Sequence, residues 1–135
     1  VNAVVAPNDG TAGGVVAALK QQKLTSKVIV TGQDADLAAC QRIAEGTQSM
    51  TVYKPIKFLA GRAAETAVAM AKGETIKTST TVNNGRKNVP SILVTPFLVD
   101  RKNLTETVIK DGYHSKADIF KNVEPKNVDP KNVKL

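Results

Sequence analysis

Short β-branched runs and helical spacings alternate along the first part of the chain. Ala3–Ala6 is an apolar run closed by Pro7-Asn8-Asp9-Gly10. Thr11 then offers an N-cap, and Ala12, Val15, Val16 and Leu19 follow at the i, i+3, i+4, i+7 spacing of one helix face. Val28-Ile29-Val30-Thr31 reads as a second strand running into Gly32-Gln33-Asp34. A second helix carries Leu37, Cys40 and Ala44 on one side and stops at Gly46. Ser49–Tyr53 is a third strand. The order β-α-β-α-β requires parallel strands joined by right-handed crossovers, so the predicted class is α/β.

Beyond Tyr53 the pattern changes. Pro55 suits the first turn of a helix, and Lys54 ahead of it is restricted to extended backbone. Ile56–Lys72 is Ala-rich and predicts a long helix closed by Gly73. Lys77–Val82 reads as a strand, Asn83-Asn84-Gly85 as a turn, and Ile92–Thr95 as another strand ending at Pro96. A last helix is expected over Leu104–Lys110, capped by Asn103 and closed near Gly112. From Lys121 the chain repeats Lys-Asn-Val at intervals of five residues. Units so short and polar cannot stack as a solenoid, and residues 116–135 are expected to form a basic, extended tail.

Bulk numbers narrow the function classes. At 135 residues and 41% hydrophobic, the chain has enough apolar material for a modest core. No apolar run reaches the length of about 18 residues that a membrane span requires. The sequence opens on Val1 and runs at once into a strand, so an upstream portion and any export signal are expected to lie outside it. The net charge of +7 invites a nucleic-acid reading, but its distribution does not support one. Five Lys against three acids from Lys116 onward account for +2, and the rest is scattered among acids with no basic stripe and no interleaved aromatics. Cys40 is the one cysteine; it stands among apolar neighbours, which predicts a buried, inert thiol and excludes an intramolecular disulfide.

Candidate chemistry gathers at the strand ends. In a parallel sheet, ligands bind beyond the carboxyl ends of the strands. Asn8-Asp9, Gln33-Asp34 and Tyr53-Lys54 occupy those places after the first, second and third strands. Each has a second reading: Asn8 or Asp9 as the cap of the next helix, Asp34 as the cap of a helix starting at Ala35, Lys54 as a solvated side chain. Taken together they suit a neutral polyol, because a carboxylate accepts from two hydroxyls, an ammonium donates and an amide does both. Catalysis has little support. His114, the only histidine, falls in a polar stretch without a neighbouring nucleophile and reads as a surface residue, and Thr11-Ala12-Gly13-Gly14 lacks the Gly-Lys-Ser/Thr ending of a phosphate loop. No cofactor and no metal are expected.

These same segments resemble the C-terminal portion of periplasmic D-xylose-binding proteins. The likeness runs through Val5–Gly14, Thr31–Asp36 and Gly46–Pro55, and continues in Val82–Gly85, Val89–Ser91 and Val108–Gly112. It implies a type I periplasmic-binding-protein fold of two α/β lobes with sugar bound between them. On that basis residues 1–54 belong to the C-terminal lobe, 55–90 to a segment of the N-terminal lobe and 91–115 to a return crossing with the last helix. The resemblance also implies that Asn8, Asp34 and Lys54 contact the sugar, with Asp9 and Gln33 supporting them. The implied partners are D-xylose or a related monosaccharide, the N-terminal half of the same protein and an ABC permease. The implied location is periplasmic or extracellular, with or without a lipid anchor. Three alternatives stay open at this point: a xylose sensor for a membrane kinase, the effector core of a transcription repressor, and a sugar-modifying enzyme.

Overall fold

A computed structural model describes residues 1–124 and divides the chain into two compact units, Val1–Tyr53 with the segment from Phe97 onward, and Lys54–Pro96. The first unit is built on a four-stranded sheet in the order β1 (Ala3–Val5), β2 (Ile29–Thr31), β3 (Met50–Tyr53) and β6 (Phe97–Asp100). β1, β2 and β3 run parallel, as the alternation with helices requires. β6 joins antiparallel, pairing Phe97 with Tyr53 and Val99 with Thr51.

Both helices of this half lie against one sheet face. α1 (Asp9–Gln21) buries Ala12 and Val16 against Val30 and Ala6. α2 (Leu37–Glu45) buries Cys40, Ile43 and Ala44 with Tyr53 and Val99. Gly46 ends α2 at φ 82°, a conformation that costs glycine nothing, and its N–H returns to the helix carbonyls. The opposite face of the sheet is apolar: Val5 is 84% exposed, Ile29 57% and Leu98 56%, and among the described residues β1 has a neighbouring strand on one side only.

Several expectations are corrected. Helix α1 begins three residues earlier than the Thr11 cap implied, because Asn8 Oδ1 accepts from Thr11 N at 2.8 Å and Asn8 is the N-cap. Asp34 does not stand at the cap of α2, which starts at Leu37 with Asp36 at the N-cap position. The predicted last helix is a π-type turn, Thr105–Ile109, with N–H bonds reaching back five residues from Ile109 to Leu104 and from Lys110 to Thr105. An extended segment from Lys116 was expected, but Lys116–Phe120 forms α4. Ser115 caps it by accepting from Asp118 N, Ile119 is fully buried, and Gln41 Nε2 donates to the Asp118 carbonyl at 2.9 Å. One buried Ile contributes about 1.5–3 kcal/mol, enough to favour docking of so short a helix once it is capped. Most of the Lys-Asn-Val repeat lies outside the described residues.

The second unit comprises α3 (Ile56–Ala71) and a hairpin of β4 (Thr80–Asn83) with β5 (Asn88–Ser91). Its turn is set by side chains, since Asn83 Oδ1 accepts from Gly85 N and Asn84 Oδ1 from Arg86 N and Lys87 N. That register uses up β4 at Ser91, so the apolar run Ile92–Thr95 is left without strand pairing, contrary to expectation. No residue of α3 is buried, and Phe58, Val68 and Met70 are each more than half exposed. Leu59, Thr66, Met70, Ile76 and Pro90 line an open, mainly apolar depression of about 740 Å³ within this unit.

Candidate functional site

β1 and β2 end level, Val5 opposite Thr31, whereas β3 runs on past its pairing of Met50 with Thr31, and the loops after the strands are tied to one another. Asp9 N donates to the Gln33 carbonyl at 2.8 Å, so Asn8 and Asp34 flank a directly bonded pair. Asn8 is exposed and its amide oxygen is committed to the helix cap, which leaves its NH2 to donate outward. Asp34 is half-buried. Its φ is 103° and that of Ala35 is 53°, two consecutive left-handed positions without a glycine. Such a conformation costs on the order of 1–3 kcal/mol per residue and persists only where surrounding bonds hold it. Here three backbone donors do so: Asp34 N to the Val52 carbonyl at 2.9 Å, Ala35 N to Thr51 Oγ1 at 3.2 Å, and Asp36 N to Asp9 Oδ2 at 3.0 Å. Gln33 is half-buried, with Nε2 at 3.5 Å from the Pro7 carbonyl, a long contact. Lys54 follows Tyr53, the last residue of β3, and is the first residue of the second unit.

Asp9 sits beneath these loops, 1% exposed. Its Oδ1 accepts from Gln48 Nε2 at 2.9 Å, and its Oδ2 from Thr51 Oγ1 at 2.8 Å as well as from Asp36 N. Arg42 completes the cluster, donating from Nε to Gln48 Oε1 and from Nη2 to the Asp9 carbonyl, each at 2.9 Å. One carboxylate thus joins the first turn of α1, the loop after β2 and strand β3. Gly32 makes the close approach possible. A Cβ there would lie 2.1 Å from Asp9 Oδ1 and 2.8 Å from Gln48 Nε2, closer than a carbon atom approaches a non-bonded neighbour.

Tyr53, which the sequence places at the end of the third strand, is joined there by Asp111, Tyr113 and His114, which it does not. Tyr53 is buried and donates its hydroxyl to Asp111 Oδ2. His114, expected on the surface, is half-buried, and its Nε2 lies 2.8 Å from the Ala35 carbonyl oxygen. Tyr113 stands between them, its ring 5.0 Å from that of Tyr53 and 4.4 Å from that of His114. Burial pushes the Tyr53 hydroxyl well above its ordinary range, and the bond to Asp111 adds to the shift. Tyr113 is raised by burial and then by the charges of Asp36 and Asp34. Partners 58 and 79 residues apart leave no trace in local spacing, so no periodicity could have found them.

Cys40 is fully buried, as expected, and burial first, then the charges of Asp9 and Asp36, push its thiol up to about 12. The folded state then holds this proton more tightly than the unfolded one. Its contribution to stability is complete below pH 9.0, the ordinary thiol value, and is lost as pH rises from there towards about 12. Comparing urea unfolding at about pH 8 and about pH 10.5, the loss of stability should be smaller in Cys40→Ala than in the parent, by up to about 2 kcal/mol. Equal losses would mean that the thiol does not titrate differently on folding.

Among the described residues no cluster of His, Cys, Asp and Glu is arranged to hold a metal ion, and no helix is long and apolar enough to cross a membrane. The periplasmic binding protein domain family matches residues 1–75. The chain is 57% identical over 120 residues to the D-xylose-binding periplasmic protein of Haemophilus influenzae, covering 89% of this chain and 36% of that relative. It is 56% identical over 119 residues to the D-xylose-binding periplasmic protein of Escherichia coli, covering 88% and 36%. A carbohydrate transporter solute binding protein from Chloroflexus aurantiacus, solved in complex with D-glucose, superposes with a TM-score of 0.79 at 40% identity, over 86% of this chain and 34% of the other. The chain therefore spans about a third of the length of these relatives. With its parallel strand ends, its α/β layering and a family match over more than half its residues, this chain belongs to the periplasmic binding proteins.

Proposed function

We propose that this chain supplies one wall of a cleft that binds D-xylose or a similar pentose, and that the complete protein delivers the sugar to a membrane permease. The observation that carries this reading is the loop after β2, where two left-handed residues are held by three donors and present Asp34 beside the Asn8 cap. Strain maintained at this expense is characteristic of ligand-binding positions. Asp34 would accept from two sugar hydroxyls, the Asn8 amide would donate a third bond, and Lys54, next to Tyr53, would donate a fourth. Asp9 and Gln33 would act behind them, holding the loops. The names of the relatives support sugar as ligand and export to the periplasm, which favours a transport protein over a repressor core or an enzyme.

Residues 55–90 are assigned in this reading to the second lobe, with chain crossings near Tyr53–Pro55 and Ser91–Pro96. Sugar would bridge the lobes and stabilise the closed form by contacts made only there, giving a permease a surface to recognise. Three bonds to charged groups at about 1.5–3 kcal/mol each and one to a neutral amide at about 0.5–1.5 kcal/mol give roughly 5–10 kcal/mol before ordering costs, whereas micromolar affinity needs about 8 kcal/mol net. One wall is insufficient. Calorimetric titration with D-xylose should give micromolar saturation for the complete protein and no binding below about 1 mM for the 135-residue chain alone. Absence of heat from the complete protein would sink the proposal; submillimolar binding by the short chain would overturn the two-wall arithmetic.

A further inference from the structure

The turn Asp111-Gly112-Tyr113-His114 reaches two strand ends at once. Tyr53, the last residue of β3, donates to Asp111 Oδ2, and the Ala35 carbonyl lies 2.8 Å from His114 Nε2. A carbonyl oxygen can only accept, so the imidazole donates from Nε2. Each anchored residue is the immediate neighbour of a proposed sugar contact: Tyr53 precedes Lys54, and Ala35 follows Asp34. The Ala35 carbonyl also has special need of a donor. Its residue is left-handed and fully buried, and its other partner is the Cys40 thiol, a weak donor at 3.6 Å.

The turn is itself stiff. Tyr113 N donates to the Val108 carbonyl at 2.9 Å and His114 N to the same oxygen at 3.3 Å, a reach of five and six residues that continues the π-type winding of Thr105–Ile109. This wide winding sets the Tyr113 ring in tilted contact with both His114 and Tyr53. Val108 and Leu104, on the same segment, are fully buried beneath α2. A short polar turn is therefore mounted on the larger core and applied to the sugar loop from behind.

Resting on the sugar-site reading above, we propose that His114 is a positioning residue for pentose binding, and that the 111–114 turn is a clasp that holds Asp34 through Ala35 and fixes the end of β3 through Tyr53. His114 does not touch sugar in this arrangement. It holds the left-handed Ala35, and hence Asp34, in the one orientation that faces ligand.

The test uses the complete protein and four variants, with D-xylose as the probe. His114→Phe keeps a ring of similar size without a donor; His114→Gln restores an N–H at about the same reach. Tyr53→Phe removes the second bond and keeps the aromatic contacts, so it serves if His114→Phe does not fold. Asp34→Ala reports on the site reading itself. Calorimetry should show about 10- to 30-fold weaker binding for His114→Phe and recovery to within about 3-fold for His114→Gln. Amide signals of Asp34–Asp36 should move in the Phe variant and return in the Gln variant, which a purely global loss of stability would not produce. If Asp34→Ala weakens binding while His114→Phe and Tyr53→Phe do not, the site stands and the clasp is refuted. If His114→Gln fails to restore binding while its fold is intact, the donor role is refuted. If Asp34→Ala binds normally, the site reading fails and the clasp, which acts through Asp34, fails with it.

Discussion

Asp34→Ala in the complete protein is expected to weaken D-xylose binding by about 2–4 kcal/mol, roughly 30- to 1000-fold in Kd. Sugar hydroxyls that leave water need acceptors in the cleft, and this carboxylate is the proposed acceptor at the β2 end. Without it two hydroxyl donors would be buried unpaired, a larger penalty than the net worth of the bonds. Asp34→Asn separates charge from shape, since an amide offers one acceptor where the carboxylate offers two, and it should lose about half as much. Alanine in place of Asp34 would also occupy a left-handed position. Part of any loss of fold stability therefore belongs to the backbone, and the two terms are distinguished by measuring affinity and urea unfolding on the same sample. Unchanged affinity in both variants would remove Asp34 from the site.

Asp9 gives the second large effect, on folding and not on contact with sugar. Asp9→Ala should destabilise the protein by about 3–5 kcal/mol, because Gln48, Thr51 and the Asp36 N–H would lose their acceptor in a site shut off from water. Asp9→Asn should rescue little. If its NH2 replaces Oδ2, it faces the Asp36 N–H, which cannot turn. If it replaces Oδ1, Gln48 must flip to accept, and its own NH2 then meets the Arg42 Nε donor. Urea unfolding monitored by circular dichroism measures both. An Asn variant as stable as the parent would mean that the carboxylate is not the hub that the bonds describe.

Much of this architecture could be read from the sequence, and the reasons differ by element. β1, β2 and β3 announce themselves by short β-branched runs that end in polar residues, and the Gly46 stop is equally plain because a left-handed helix end favours glycine. Asn8 and Asp9 were legible as a capping pair, but not which of them caps. That is decided in space: Asp9 is drawn inward by Thr51 and Gln48, which leaves the helix end to Asn8. β6 was hidden because four residues after a proline carry no period of their own and are fixed by pairing with β3. In α4 the Ser115-Lys116-Ala117-Asp118 capping pattern was present but masked by the Lys- and Pro-rich composition that follows. His114 and Asp111 were illegible, since their partners are set by tertiary packing of the π-type segment and by no local rule.

The exposed apolar side of the four-stranded sheet bears on handling. Val5, Ile29 and Leu98 present oily side chains to water next to β1, which among the described residues pairs on one edge only. Two such surfaces attract one another, and an open ladder is a template for further strands. At high concentration the chain by itself would gather into assemblies, so dilution, mild detergent or a complementary polypeptide is the natural remedy during purification.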